Sequence, residues 1–378
     1  MNRRERLMAT LRGDPVDRPG VCFYEINGLD ERPDWDDQFN VYSDPSWLPA
    51  IELARDRTDR IPMRPMAFKG APPSTPHVFA KVESWMEGGS RFTRRTIQAG
   101  ARELTSLERR DPGVNTTWTL EPLLKGPEDA EAYAALPIPQ FEIEADPTRV
   151  LATEAQLGDT GIVMLNFADP ICMVAPLFEL GEYTVVARTE PALFHRMLER
   201  ALEFLLPLVE ATSAALPGRL WRVVGPEYAT SPFLPPSLFR EYVVRYDTPI
   251  VQAILRHGGY PRVHCHGRLK DVLDDIVGMG TMGLDPVEPP PQGDVELAYV
   301  RERYGKQMAL FGNIEASDIE NLPTPQFAKK VERALREGTQ GEGRGFVLLP
   351  SACPYGRKLT DLALANYRTM VELTEKWA

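Results

Sequence analysis

Two histidines and a distant cysteine are the residues of this sequence whose types and spacing best suit metal chemistry. Residues 260–267 read YPRVHCHG, a pattern typical of a short β-strand that ends in metal-binding side chains. His264 and His266 are two residues apart, so in an extended segment both imidazoles project to one face and Cys265 projects to the other. Two imidazoles form half of a tetrahedral zinc site. Cys353, in the segment LPSACPY, is the best candidate for a further ligand.

Each of these residues also has a simpler interpretation. The two histidines are compatible with an ordinary hydrogen-bonded strand end, and Cys353 with a small packing residue. Glu227, in the segment VGPEYAT, is either an acid in a first helical turn or a fourth metal ligand. We expect Cys265 to be a buried thiol that faces away from the site.

The composition excludes several classes of partner. The chain has 378 residues, a formal net charge of −11, 43% hydrophobic residues and 26% charged residues, as in an ordinary globular protein. The acidic excess, without a basic run, argues against nucleic acid. No apolar stretch approaches the ~20 residues that span a bilayer. With no apolar signal core at the N-terminus and only four cysteines, a cytoplasmic protein with reduced thiols is predicted.

From about residue 150 onward, apolar runs rich in β-branched residues alternate with amphipathic helices. Runs without polar alternation are what a parallel sheet covered on both faces requires. Strands are predicted at residues 21–26, 161–166, 220–225, 260–264, 281–285, 308–312 and 345–349, and helices at 190–215, 237–256, 269–278, 295–304, 325–337 and 360–377. Seven strands with intervening helices close most simply as a (β/α)8 TIM barrel with one weak or cryptic strand. A doubly wound open sheet is the alternative, although no GxGxxG motif follows an early strand.

The N-terminal part of the chain is less regular. A helix is predicted at residues 3–12, an N-terminal extension to the barrel, and another at 47–55 among long connections. A Gly-Gly turn between alternating segments at residues 84–97 predicts a β-hairpin, which a second alternating stretch at 102–109 follows. A helix is predicted at 126–136. We therefore interpret 1–378 as a single barrel domain in which 27–145 forms extended connections and the hairpin insertion.

Polar side chains collect at the predicted carboxyl ends of the strands. In a barrel of parallel strands this rim carries the chemistry, so their convergence predicts an active site there. The residues at these positions are Glu25, Asn166, Glu227, His264, His266, Asp285, Glu288, Asn313 and Cys353.

Four segments resemble the uroporphyrinogen decarboxylase superfamily along the length of the chain. They are RRERLMATLRGDPVDRP at 3–19, KGPED at 125–129, YGKQMALFGNIE at 304–315 and PTPQF at 323–327. The resemblance implies a (β/α)8 barrel with its site at the carboxyl-terminal rim. True decarboxylases of this superfamily carry an Arg-rich MRQAGR stretch after the first strand, whereas residues 24–32 here read YEINGLDER, so decarboxylation of a porphyrin precursor is not expected.

The other branch of the superfamily contains zinc-dependent methyltransferases, whose metal motif is His-x-Cys with a distant Cys. His264 matches the histidine and Cys353 the distant cysteine, while His266 stands in place of the first cysteine. Zinc with one thiolate and two imidazoles carries about +1 net charge, against about zero with two thiolates, so it is the stronger Lewis acid. Such a site suits polarising an ether oxygen, unless Glu227 completes the shell and restores neutrality.

The residues and the resemblance together predict a cytoplasmic zinc methyltransferase in which His264, His266 and Cys353 bind the metal, with Glu227 as a candidate fourth ligand that a substrate can displace. The methyl donor is expected to be a small O-methyl compound and the acceptor the cobalt of a separate corrinoid protein, as in O-demethylase systems. Two alternatives stay open: a zinc enzyme that alkylates a thiol such as coenzyme M with a methyl or epoxide substrate, and a cofactor-free decarboxylase or lyase. The sequence leaves a homodimer open. Residues expected to shape the pocket are Glu25, Asn166, Tyr228, Asp285 and Glu288.

Overall fold

A parallel sheet of eight strands forms the centre of the computed structural model, which describes residues 1–70 and 75–377. Residues 71–74 of the predicted connection, and residue 378, lie outside the described residues. The strands are β1 (Gly20–Val21), β2 (Met63–Pro65), β3 (Lys81–Glu87), β4 (Ser90–Ala99), β5 (Arg102–Arg110), β6 (Thr117–Glu121), β7 (Met164–Ala168), β8 (Leu220–Val224), β9 (Tyr260–His264), β10 (Gly283–Asp285), β11 (Ala309–Ile314) and β12 (Phe346–Pro350).

Helices connect these strands and cover the outside of the sheet. They are α1 (Arg3–Arg12), α2 (Leu48–Arg57), α3 (Pro127–Ala134), α4 (Thr148–Leu157), α5 (Pro170–Val174), α6 (Leu180–Thr189), α7 (Pro191–Ala215), α8 (Pro236–Phe239), α9 (Arg245–Arg256), α10 (Leu273–Gly278), α11 (Leu297–Tyr304), α12 (Ala316–Asn321), α13 (Thr324–Thr339) and α14 (Asp361–Glu375). Short 3-10 turns lie at Val41–Ser43, Pro45–Trp47, Ala175–Leu177 and Pro226–Ala229, and a π-helical turn, Arg240–Val244, joins α8 to α9.

The strand order is β1-β12-β11-β10-β9-β8-β7-β2, with every neighbouring pair parallel. Between the two end strands, the Asp59 backbone N–H donates to the Val21 carbonyl at 2.7 Å, and Asp59 Oδ2 accepts from the Val21 N–H at 2.9 Å. Asp59 is itself fixed by an ion pair of 2.6 Å with Arg6 of α1. This arrangement confirms the predicted TIM-barrel fold.

The inside of the barrel holds its own apolar cluster. Leu7 and Leu11 of α1 are buried in the same cluster as Leu220, Phe311 and Val347 of the barrel strands. The amphipathic stripe of the N-terminal helix therefore packs against the amino-terminal end of the barrel.

Two details of the N-terminal region differ from the sequence-based expectation. The eighth strand is β2, which lies in the segment predicted to be surface connections and pairs with β7. The predicted strand at 21–26 is wrong beyond Val21, because the chain turns at Tyr24, whose φ is +50°, and the Ile26 N–H donates to the Phe23 carbonyl at 2.9 Å. This turn places Tyr24 and Glu25 at the mouth of the barrel.

The predicted hairpin is confirmed and is part of a larger insertion. Strands β3, β4, β5 and β6 form an antiparallel sheet in that order, and Gly88-Gly89 makes the first turn. One face packs inward through Ile97, Ala99 and Leu104.

Within the described ranges, no single helix is long and apolar enough to cross a membrane, although one bent helix pair, Pro170–Leu177 with Leu180–Thr189, has a suitable length and composition.

Candidate active site

His264 ends β9 and His266 follows it at the carboxyl-terminal mouth of the barrel. The two ring centroids are 4.6 Å apart, with the ring planes at 89°. The alternation of side chains along an extended segment accounts for this shared face. Cys265 is buried in the core between the sheet and the helices, as predicted.

Each imidazole is held through Nδ1 by a carboxylate. His264 Nδ1 lies 2.6 Å from Asp285 Oδ2, because the register of β9 and β10 places the two residues side by side. His266 Nδ1 lies 2.8 Å from Glu288 Oε1, and the other oxygen of Glu288 accepts from the Gly267 N–H at 2.7 Å. An ionised carboxylate only accepts, so both Nδ1 atoms donate and both Nε2 atoms keep a lone pair or proton for chemistry.

The charges of these groups follow from burial and their neighbours. Burial alone would raise the pKa of Asp285, but the Arg262 guanidinium, 2.9 Å away, and His264 outweigh it and hold the pKa well below its usual range. Burial lowers the pKa of His264 to about 4 in spite of the hydrogen bond to Asp285. Burial also opposes protonation of His266, yet the contact with Glu288 outweighs it and raises its pKa. At neutral pH His264 is therefore a neutral imidazole beside an anionic carboxylate.

Glu227 lies beside this histidine pair, on the Pro226–Ala229 turn that follows β8. Its Oε2 is buried and has no hydrogen-bond partner among the described residues. Burial raises the pKa of Glu227, against the opposing influence of His266 and Arg222. A buried carboxyl oxygen without a partner has room for a proton or a cation.

Glu315 is an acid of this rim that the sequence interpretation did not include among the site residues. It follows β11, and its Oε2 accepts from the Ser351 hydroxyl at 3.1 Å, while Oε1 has no partner among the described residues. Burial, reinforced by the Glu288 carboxylate, raises the pKa of Glu315 to about 7. Its position directly after a predicted strand, in the segment FGNIE, could have identified it as a rim residue.

Cys353 lies with a different set of side chains. Asn115 Nδ2 is 3.8 Å from its Sγ, and the Glu25 carboxyl is within hydrogen-bonding reach of the thiol. Burial and the neighbouring Glu25 raise the pKa of Cys353 to about 12. Burial likewise raises the pKa of Glu25, with Arg222 opposing it. In this arrangement the thiol is protonated.

The remaining predicted residues take supporting positions. Asn166 Oδ1 accepts from Arg222 at 2.8 Å inside the barrel. The Tyr228 carbonyl accepts from the Tyr183 hydroxyl at 3.0 Å. Asn313 lines a separate cleft of about 110 Å³ that Lys330 of α13 also lines. Asn166 therefore belongs to the barrel interior, whereas Asn313 lies at a different cavity.

The donor groups around the histidine pair suit zinc in their chemistry. Carboxylates that fix Nδ1 are the usual outer partners of metal-bound histidine, and the unpartnered Glu227 oxygen lies nearby. Across residues 1–70 and 75–377, no three His, Cys, Asp or Glu side chains are grouped closely enough to hold a metal ion. The structure thus brings His264 and His266 together but not the whole predicted ligand set, and the assignments of Cys353 and Glu227 stay predictions.

A family model and one solved structure agree with this architecture. Residues 170–377 match the family model described as uroporphyrinogen decarboxylase (URO-D). A methyltransferase from Methanosarcina mazei shares the fold over 100% of this chain and 99% of its own, with a TM-score of 0.65 at 16% identity. A D-psicose 3-epimerase from Clostridium cellulolyticum H10 aligns over 61% of this chain and 93% of its own, at 11% identity and a TM-score of 0.32. No curated protein matches the chain.

The fold and rim define a (β/α)8 barrel of α/β class with its polar site at the carboxyl ends of the strands. The chain belongs to the uroporphyrinogen decarboxylase family, because the family model covers more than half of it. The resemblance noted in the sequence is therefore confirmed at the level of the superfamily.

Proposed function

We propose that this protein is a methyltransferase in which His264 and His266 hold a zinc ion, and that it moves a methyl group from an O-methyl compound to a corrinoid protein. The observation that carries the proposal is the pair of adjacent imidazoles, each fixed through Nδ1 by its own carboxylate. Membership of the family, and a fold shared with a methyltransferase, support the class of reaction.

The carboxylates prepare the histidines for this role. Asp285 and Glu288 fix which ring nitrogen carries the proton, so the Nε2 lone pair of His264 is available. Glu227 would be the oxygen ligand that a substrate displaces. Cys353 would join as a thiolate, and since burial and Glu25 raise its pKa to about 12, binding a metal there would release a proton.

Transfer of a methyl group from oxygen breaks the O–CH₃ bond and leaves an oxygen that needs a proton. When bound, zinc would polarise that oxygen and weaken the bond to the methyl group. Glu315 would supply the proton, because it follows β11 at the same rim, its buried Oε1 has no partner among the described residues, and burial raises its pKa to about 7. The acceptor's nucleophile supplies the electron pair of its new bond to the methyl group, while the oxygen keeps the pair of the broken O–CH₃ bond and takes the proton of Glu315.

Metal content tests the metal part of the proposal. Protein purified without added metal is expected to contain about one zinc per chain by elemental analysis, and His264→Ala and His266→Ala are expected to lose it. His257→Ala is the matched control, because His257 lies 3.7 Å from Glu210 on the outside of the barrel. Zinc well below one per chain, or zinc unchanged by both site substitutions, would contradict the proposal and favour a cofactor-free lyase.

The reaction is tested with O-methyl compounds and two acceptors. Methyl transfer to a cobalt(I) corrinoid protein is the expected outcome. Alkylation of an acidic thiol is the second candidate, favoured by the Arg222 guanidinium at the site, which can pair with the acidic group of such a thiol. If the methyl group is transferred to the thiol and not to the corrinoid protein, the thiol is the acceptor and the corrinoid proposal is wrong.

A further inference from the structure

Arg222 is a buried cation whose hydrogen-bond partners are neutral. It projects from β8 into the barrel, and only 9% of it is exposed. Nη1 donates to Asn166 Oδ1 at 2.8 Å, Nη2 donates to the Tyr24 hydroxyl, and Nε has no partner within the described part of the chain. A guanidinium has five N–H donors, so much of its capacity remains unused.

The neighbouring strand provides an internal comparison. Arg262 of β9 is in register with Arg222, is 2% exposed, and has the Asp285 carboxylate 2.9 Å away. Arg222, in contrast, forms no ion pair with any of the described residues. A buried charge without a counter-ion is unfavourable. Glu25 and Glu227 lie near Arg222 but form no ion pair with it among the described residues, and Asp285 pairs with Arg262 instead.

The guanidinium is also close to the reacting groups and to an open cleft. The Arg222 Cζ atom lies 5.5 Å from the centre of the Tyr24 ring. The centres of the Tyr24 and His264 rings are 6.0 Å apart. Tyr24, Glu25 and Asn115 line a cleft of about 380 Å³. This volume suits a small molecule. A ligand in the cleft therefore lies against Tyr24, the side chain that packs between Arg222 and His264.

We propose that Arg222 binds the anionic group, a carboxylate or a sulfonate, of the small molecule that reacts at the histidine pair. The missing counter-ion of Arg222 is then supplied by the ligand, and arginine suits such groups because of its planar donors. The inference rests on the proposed function for the place of reaction and adds the chemical class of the ligand. The anion belongs either to the methyl donor, as in a methoxy carboxylic acid, or to an acidic thiol acceptor.

The test measures binding of charged and neutral probes to the purified full-length protein by calorimetry. Methoxyacetate is compared with methoxyacetamide, and ethanesulfonate with ethanesulfonamide. At least one anion is expected to bind about tenfold more tightly than its neutral partner. Arg222→Gln should remove this preference and Arg222→Lys should retain part of it. The pair that shows the preference indicates whether the donor or the acceptor carries the charge.

Arg149→Gln is the control variant, because Arg149 lines the same cleft but is exposed. It should keep the preference for the anion. Equal binding of charged and neutral probes to the wild type would overturn the inference, as would a preference that survives in Arg222→Gln or disappears equally in Arg149→Gln.

Two further readouts separate the remaining explanations. If Arg222 is a receptor, Arg222→Gln should leave the unfolding midpoint of the ligand-free protein unchanged or higher, since it removes an uncompensated charge. A lower unfolding midpoint in Arg222→Gln and Arg222→Lys, with no anion preference in the wild type, would show a structural role for Arg222 and overturn the inference. Zinc content is measured on the same samples: an anion preference without zinc refutes the proposed function alone, and zinc without an anion preference refutes this inference alone.

Discussion

Substituting Glu315 with glutamine should stabilise the protein at pH 8 and change its stability little at pH 5. Burial and Glu288 raise the pKa of Glu315 from 4.5 to about 7. The folded state therefore favours the neutral carboxyl. Its favourable contribution is fully present below the unfolded pKa of 4.5 and is lost as the pH rises through about 7.

The size of the effect follows from the shift. A difference of about 2.5 pKa units corresponds to roughly 3 kcal/mol, at about 1.36 kcal/mol per unit, as an upper limit. Glutamine cannot ionise, and its carbonyl can still accept from Ser351. At pH 8 the free energy of unfolding of Glu315→Gln should exceed that of the wild type by roughly 2–3 kcal/mol, and at pH 5 the two should agree within about 1 kcal/mol.

The assay is urea denaturation at pH 5, 6.5 and 8, followed by tryptophan fluorescence, in buffers that contain a chelator. Glu320→Gln is the control, because Glu320 is an exposed acid five residues further along the chain. It should show no pH-dependent difference from the wild type. A Glu315→Gln variant that is destabilised at pH 8, or that differs from the wild type equally at all three values, would refute the reasoning about burial.

Two further substitutions test the geometry around the site. Asp285→Asn leaves the buried Arg262 without its carboxylate and should lower the free energy of unfolding by about 3–5 kcal/mol in urea denaturation. Asp274→Asn, on the exposed surface, should lower it by less than about 1 kcal/mol, and similar losses in both variants would contradict the burial argument. Gly225→Ala should cost about 1–3 kcal/mol in thermal unfolding, because φ is +133° and an added Cβ would lie 2.2 Å from Asp169 Oδ1; a neutral result would contradict this turn.

Much of the barrel was predictable because strands covered on both faces must be apolar throughout. Strands β7 to β12 follow this rule apart from Arg222, Arg262 and the polar residues near their carboxyl ends, and each was found near its predicted position. Strand β2 could not be found this way, since Met63–Pro65 has three residues, contains an arginine, and is defined by its pairing with β7. The chain leaves the direction of β1 at Tyr24, whose positive φ of +50° is not predictable from a tyrosine in the sequence.

The histidines and the rim acids Asp285 and Glu288 were predictable as site residues, but the hydrogen bond that joins each acid to one histidine was not. The spacing of His264 and His266 places both on one face, whatever the tertiary fold. That Asp285 and Glu288 hold them depends on the register of β10 against β9 and on the loop that follows. Arg222 was not among the predicted site residues, although the sequence contained a signal for it, because a charge at the centre of an apolar strand must project into the barrel or against the helices. Its missing counter-ion became visible only with its neighbours in place.

The packing of α1 against the barrel determines how molecules reach the site. Leu7 and Leu11 fill the amino-terminal end together with residues of the strands, so entry and exit are directed to the opposite mouth. That mouth is where His264 and His266 lie, and a macromolecular acceptor that docked there would cover it. In a transfer between a small donor and such an acceptor, the donor must already be bound when the acceptor arrives, and its demethylated product can leave only after the acceptor departs.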